Sequence, residues 1–460
     1  MTNSNGGWEP PGRGPKSPAP RVGWPSIRRW KALLLFGAAC GGWPACLADS
    51  IPTVVSTPLV NRLIEEADAR NRGLLAARAR ADAARAEVGA VKRWQNPELM
   101  AGGMAARKMM RQDDGDLMIG MGQALPLFGK EGAARDAALA DARLMAAEAE
   151  LEFQNLRKEV AQAVLGVALA DETFGFARRD LAWLETLEKV IQERFALGVS
   201  TQLEVLKVRN ELTRARERTT TLAGRRADAA AILNRLLGRG THDSVEEFAL
   251  PEPGPAVPAG ERVFALASAN DPRVKVAQAV VGAAAARVKV AERERRPDAS
   301  LEVAGRSYSG TGDFRAAEVA VKFSLPWFNR SSYSAMAEGA RNGDKAAKLD
   351  LEEAVRETRE EIQLLLTMID SARREALSYR NEIIPRSEQA LRLAEQFWPV
   401  GKAELRDVLE SGRMLVEART QAAEAIADQH RRLAELILCC GLGDLDALEM
   451  ITHLPDSTTP

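Results

Sequence analysis

The sequence predicts a mainly α-helical fold with a small β part, arranged as two tandem repeats. Three observations predict it. The punctuation Leu125-Pro126-x-Phe128 returns as Leu325-Pro326-x-Phe328, 200 residues later. Each copy opens a long run of apolar residues spaced by alternating threes and fours, the period of helices that supercoil around neighbours. Each copy also follows short segments in which apolar and polar residues alternate, the period of strands.

Composition agrees. The 460 residues carry 63 basic and 64 acidic side chains, a net charge of −1. A nucleic-acid binder normally shows a strongly basic domain, so the balance argues against that class. Abundant alanine with Glu, Arg, Leu and Lys is the composition of long helices.

Residues 1–48 read as a secretory signal with a long, Pro/Gly-rich leading region, which leaves the translation start open. Arg28, Arg29 and Lys31 precede the apolar "ALLLFGAAC", and small residues at Cys46 and Ala48 form the cleavage site. Beyond Ala48 the reading finds no run of the roughly 20 apolar residues that a spanning helix needs. The chain is therefore expected to be exported and to cross any membrane by other means. Cys40 and Cys46 fall in the signal. Neither "GAAC" nor "WPAC" has the Leu three residues before a lipid-accepting cysteine, and lipidation is left open. Cys439 and Cys440 are adjacent and expected to pack in a helix, so the four cysteines make no disulfide framework.

The first repeat is assigned to residues 49–238. Its strand pair, about 97–125, is read from "PELMAGGMAARKMM" and "DLMIGMGQAL", with a turn near "RQDDGD". A helical hairpin over 128–238 follows, with a stripe through Leu156, Val160, Ala163, Val167 and Phe174 to Phe195. The hairpin breaks at "FALGVSTQLEVL", where Gly198 can adopt the left-handed conformation that ends a helix. Ser200 or Thr201 can cap the return. Residues 239–270 hold four prolines and read as an inter-repeat linker.

The second repeat, 271–443, repeats the plan. "ASLEVAGRSYSG" and "AEVAVKFSL" form the strand pair, about 298–325, around a "GTGD" turn. Val319, Val321 and Phe323 are expected on a lipid face, and Lys322 and Ser324 on the opposite, lumenal face. The hairpin 328–441 carries a stripe through Val355, Ile362, Leu365 and Ile369 to Phe397 and breaks at "FWPVGKAELRDVL" with Gly401. Pro385 should bend it, because proline removes a backbone bond and clashes with the preceding turn. Residues 444–460 are a tail. Pro126 and Pro326 mark the passages from strand to helix.

Strands of roughly ten residues can cross a bilayer when tilted. Four cannot close a barrel, and lipid does not tolerate open sheet edges. Several chains must therefore pool their strands.

These residues resemble the TolC family of outer-membrane efflux channels. The two Leu-Pro strand exits, the glycine breaks and "NEIIPRSEQALRLAEQFWPVG" (Asn381 to Gly401) carry the resemblance, which covers nearly the whole mature chain. Within the family the chain is most similar to the CzcC-like components of heavy-metal efflux. The resemblance implies a homotrimer with a twelve-stranded barrel in outer-membrane lipid and a long helical barrel in the periplasm. It also implies two partners, a periplasmic adaptor and an inner-membrane pump of the RND type. The adaptor would meet the helical tips, Leu197, Gly198, Val199, Ser200 and Thr201 in one and Val400, Gly401, Lys402, Ala403 and Glu404 in the other. Asp407 and Glu410 match the acidic residues that narrow the family's periplasmic entrance. Three apart on one helix face, they would form a ring of six carboxylates that attracts cations. The chain departs from the pattern at Phe195 and Phe397, where Tyr is usual, and at Trp398-Pro399.

Other readings weigh less. Met100, Met104, Met109, Met110, Met118 and Met121 cluster in the first strand pair, where thioethers suit Cu(I); their mixed parity favours apolar filler. His242, His430 and His453 are too scattered for a metal site, and no metal or cofactor is expected. No nucleophile with its base, phosphate-binding glycine loop or zinc quartet is present, so an enzyme is not expected. The cargo could also be a drug or a secreted polypeptide. A periplasmic coiled-coil scaffold would explain the helices but not the duplicated strands.

Overall fold

The computed structural model describes residues 52–104, 115–257, 261–308 and 312–443. The segment read as a signal, with Cys40 and Cys46, and Met109, Met110, His453 and the tail lie outside them.

The first half runs β1 (Thr53–Val54), α1 (Thr57–Arg70), α2 (Arg72–Ala90), β2 (Glu98–Met104), β3 (Asp116–Leu125), α3 (Lys130–Ala196) and α4 (Gln202–Leu236). The second runs β4 (Phe248–Ala249), α5 (Glu261–Asn270), α6 (Pro272–Glu294), β5 (Ala299–Tyr308), β6 (Phe314–Phe323), α7 (Arg330–Ser378), α8 (Ile384–Phe397) and α9 (Leu405–Cys440). The order of the first half recurs in the second, where α7 and α8 together stand in the place of α3. The range read as linker is more structured than expected. It contains α5, whose place in the order matches α1, and β4, which pairs in parallel with β1.

At 1.5 Å per residue the 67 residues of α3 extend about 100 Å. Helix α3 packs on α2, α4, α6 and α9, and α7 packs on α6 and α9. Stripe residues Val160, Val167, Ile362 and Ile369 are fully or almost fully buried in these seams, as is Val164 beside them. Helix α3 is also long and apolar enough, by composition alone, to cross a membrane. This corrects the reading that no such stretch follows Ala48. Alanine and valine needed for close helix packing raise its hydropathy, and 44% of that window is buried inside the protein.

Pro385 does not end its helix. The turn before it, Tyr379–Ile383, is a π-helix, and α8 continues directly from it. Widening one turn accommodates a residue that cannot donate to the helical ladder.

Four left-handed glycines close the hairpins in the same way. Gly198, Gly238, Gly401 and Gly441 have φ of +73°, +70°, +75° and +61°. After each, the next N–H donates to a carbonyl five residues back, as Val199 does to Arg194 (2.9 Å) and Lys402 to Phe397 (3.0 Å). This is the Schellman closure. Gly238 and Gly441 have a further constraint, since a Cβ there would lie 2.8 Å from the Arg70 carbonyl oxygen and 2.7 Å from that of Asn270.

The linker is strapped across the helices. The Phe248 and Leu250 N–H groups donate to Asp171 Oδ2 (3.0 Å) and Glu172 Oε1 (2.9 Å) of α3. Gly254 exchanges two bonds with the fully buried Gln429 of α9 (3.0 and 3.2 Å). His430 Nε2 donates to the Glu252 carbonyl at 2.8 Å. Burial raises the Glu172 pKa and pushes that of His430 down to about 4. Cys439 and Cys440 are buried, reduced and pushed up to about 12, chiefly by desolvation.

Candidate functional site

Strands β2, β3, β5 and β6 form one antiparallel sheet in the order β2-β3-β5-β6. The register brings Leu99, Met121, Val303 and Val319 into line across it, and Leu301 opposite Val321. With Leu117, Ile119 and Phe323 these make an apolar face that the chain leaves exposed; Val319 is 68% accessible. The opposite face is charged. There Lys322 pairs with Glu302, Arg306 with Glu318 (2.7 Å) and Arg315 with Asp116 (2.6 Å). The expected alternation of Val319, Val321 and Phe323 against Lys322 is therefore present. Ser324 lies past the strand end, where its hydroxyl accepts from the Asp298 N–H at 2.6 Å. The methionines are divided: Met100 and Met118 share the charged face, and Met121 lies on the apolar one.

The two Leu-Pro junctions differ in geometry. After Pro126 the chain turns through left-handed Phe128 (φ +64°) and Gly129 (φ +73°). After Leu325 it makes a 3-10 turn, Pro326–Asn329, with Pro326 buried. Glycine is available at 129 and Asn329 takes a different conformation, so equivalent sequence produces unequal turns. The first junction is pinned to the second strand pair by Lys130, whose ammonium lies 2.7 Å from Asp298 and 3.4 Å from Glu294. Burial opposes its charge, but these carboxylates keep its pKa raised.

At the far end of the helices the two tips share one apolar cluster, in which Leu187, Ile191 and Val205 meet Ala394, Leu405 and Val408. Trp398, an apparent oddity in the sequence, is one of its fixed points. It is only 8% exposed, and Arg194 lies over its ring at 4.9 Å. Trp183 covers Gly412 and donates to Glu395 at 2.8 Å. The turns themselves project outward, with Leu197 78%, Val199 62% and Val400 66% exposed. Thr201 caps α4 in a capping box with Glu204. Ser200 does not cap; its N–H still donates to the Arg194 carbonyl of α3, and Thr201, with an extended backbone, is the cap.

The acidic pair has a local role that its spacing concealed. Glu404 caps α9, and Asp407 Oδ2 accepts from the Glu404 N–H at 2.9 Å, completing a second capping box. Arg406 lies 3.9 Å from Asp407, while Glu410, one turn on, is exposed. Among the described residues no group of three or more His, Cys, Asp or Glu could hold a metal ion.

A family model described as outer membrane efflux protein matches residues 63–239 and 263–442. The chain belongs to the outer membrane efflux protein family. Family members are channels rather than enzymes, they lie in the outer membrane, and they generally act as trimers with an adaptor and an inner-membrane pump. A comparison of the sequence with curated proteins found no match. Solved structures similar to this efflux protein include the outer-membrane channel OprN, at 21% identity and a TM-score of 0.73 over 84% of this chain and 90% of that one. CusC matches at 19% and 0.73, over 88% and 99%. VceC of Vibrio cholerae matches at 19% and 0.71, over 84% and 97%. These likenesses establish the fold. They agree with long helices that continue from a short sheet.

Proposed function

We propose that three copies of this chain pool their strands into one closed barrel and their helices into a periplasmic duct. A periplasmic adaptor docks on the two tips, and an inner-membrane RND-type pump drives cargo outward through the passive channel. The observation that carries this reading is the four-stranded sheet. One face is apolar and exposed, the other is charged, and β2 and β6 each keep an open edge. Lipid would leave those backbone groups unsatisfied, whereas pairing β6 of one copy with β2 of the next satisfies all of them. Three copies would provide twelve strands. The apolar face then meets lipid through Val319, Val321 and Phe323, and the ion pairs line water.

Heavy-metal cations are the proposed cargo, supported by the sequence resemblance to CzcC-like components. A duct need not bind what its pump selects, so a metal-ligand cluster is not required. Asp407 and Glu410, repeated three times, are proposed to ring the entrance. The test is complementation in a strain lacking its own duct but retaining a metal-exporting pump and adaptor. Restored tolerance to divalent heavy metals supports the full reading. Restored tolerance only to organic drugs would assign the duct to another cargo, and no restoration with a folded trimer in the membrane would refute it.

A further inference from the structure

All four chain passages between helix and sheet meet at one end of the sheet. The register puts Glu98 opposite Gly122, and Leu125 and Phe323 both opposite Ala299. Just outside that end, basic residues recur in all four passages and aromatic ones in three. The chain enters β2 through Lys92-Arg93-Trp94 and leaves β3 through Phe128-Gly129-Lys130. It enters β5 through Arg293, Arg295 and Arg296 and leaves β6 through Trp327-Phe328-Asn329-Arg330. Trp94, Trp327 and Phe328 are exposed, Phe328 to 78%.

The cations of the girdle belong to the minority of arginines without a carboxylate partner. On the helices most arginines pair with carboxylates of the same chain, as Arg226 does with Asp171 and Arg413 with Glu211. Arg93, Arg295, Arg296 and Arg330 are exposed and have no ion-pair partner among the described residues. Beside Arg296 a recess of about 480 Å³ opens between α3 and α6. Its lining includes Lys289, Arg293 and Arg296 against Asp136 and Glu292, and Glu292 is already engaged by Arg341 at 2.7 Å. Helices α3 and α7 also begin at this level with no side-chain cap on their first N–H groups.

Resting on the membrane orientation proposed above, we infer that this girdle binds the phosphate headgroups of anionic phospholipid in the leaflet facing the periplasm. Exposed aromatic rings suit the boundary between acyl chains and headgroups. Guanidinium groups bind phosphate bidentately, and each basic residue near an anionic surface strengthens binding about fivefold. The sheet ends at the level of the girdle, so a lipid whose chains lie on the apolar face would bring its phosphate to that level.

Native mass spectrometry of the detergent-solubilised trimer, offered equal phosphatidylglycerol and phosphatidylcholine, tests this. Wild type should retain the anionic lipid at least about tenfold over the zwitterionic one. The variant carrying Arg93→Gln, Arg295→Gln, Arg296→Gln and Arg330→Gln should approach parity, and the same four positions changed to Lys should keep the preference. Equal retention by wild type, or an undiminished preference in the Gln variant, overturns the inference. Conductance in pure phosphatidylcholine bilayers separates the two proposals. Pores without lipid preference refute the girdle and leave the duct standing, whereas a wild type that makes no pore in phosphatidylcholine or in bilayers containing phosphatidylglycerol refutes the duct itself.

Discussion

Placing an arginine on the apolar sheet face tests the membrane assignment by depth as well as by sign. Strand β6 runs from Phe314 to Phe323, with the helical junction immediately after it. A tilted strand advances roughly 2.5 Å in depth per residue. Val321 therefore lies about 5 Å inside the junction and Val319 about 10 Å, close to the middle of an apolar band roughly 25 Å tall. Arginine should cost about 2–4 kcal/mol per copy at Val319 and about 1–2 kcal/mol at Val321. A trimer carries the cost three times. Val319→Arg is thus expected to abolish heat-resistant trimers in membrane fractions, with Val321→Arg giving an intermediate yield. The choice of control on the other face matters. Lys322→Glu would set a carboxylate beside Glu302, its present partner, so Lys322→Gln is the neutral test and should assemble normally. Trimer yields that are equal for all three, or lowest for Lys322→Gln, would refute the assignment of faces.

Other perturbations probe other parts of the account. Gly198→Val with Gly401→Val strains two left-handed positions by on the order of 1–3 kcal/mol each without a steric clash; trimers should persist while complementation of efflux is lost. Gly412→Ala places a Cβ 2.7 Å from Trp183, so thermal melting should fall by an amount equivalent to about 1–3 kcal/mol, and melting at wild-type temperature would count against the Trp183 contact. His430 titrates near 4 when folded and near 6.5 when unfolded. The unfolded chain therefore takes up the proton first, and stability should decline as pH falls from about 6.5 to 4, by on the order of 2–3 kcal/mol; His430→Gln should flatten that slope in denaturant titrations. Asp407→Asn with Glu410→Gln should reduce cation preference in planar bilayers, and because Asp407 also serves the α9 capping box, the melting profile must accompany the conductance.

Features with a strict period were legible in the sequence. The alternation from Val319 to Phe323 and the stripe through Val160 and Ile362 each repeat often enough for one side of the element to be identified. The left-handed breaks at Gly198 and Gly401 were equally open, since few residues other than glycine adopt that conformation. What stayed hidden depends on contacts remote in sequence. The Gln429–Gly254 strap spans 175 residues, and nothing local marks a glutamine as a buried clasp. Trp398 looked like a departure from the pattern at the tip because its partner, Arg194, lies on another helix. Asp407 has the spacing for an entrance residue and equally for a capping box, and the bond it accepts from the Glu404 N–H depends on the turn geometry that precedes α9.

The central claim is that the open edges of the sheet are joined between copies, β6 to β2. Cysteine pairs on the shared face test it directly: Leu99→Cys in β2 combined in turn with Ala317→Cys, Val319→Cys or Val321→Cys in β6. The native Cys439 and Cys440 are buried, so oxidation in intact membranes reports on the introduced pairs. At least one combination should give covalent trimers on denaturing gels, with each single variant remaining monomeric. Monomers alone from every combination, in membranes where the protein is folded and conducting, would contradict the shared barrel.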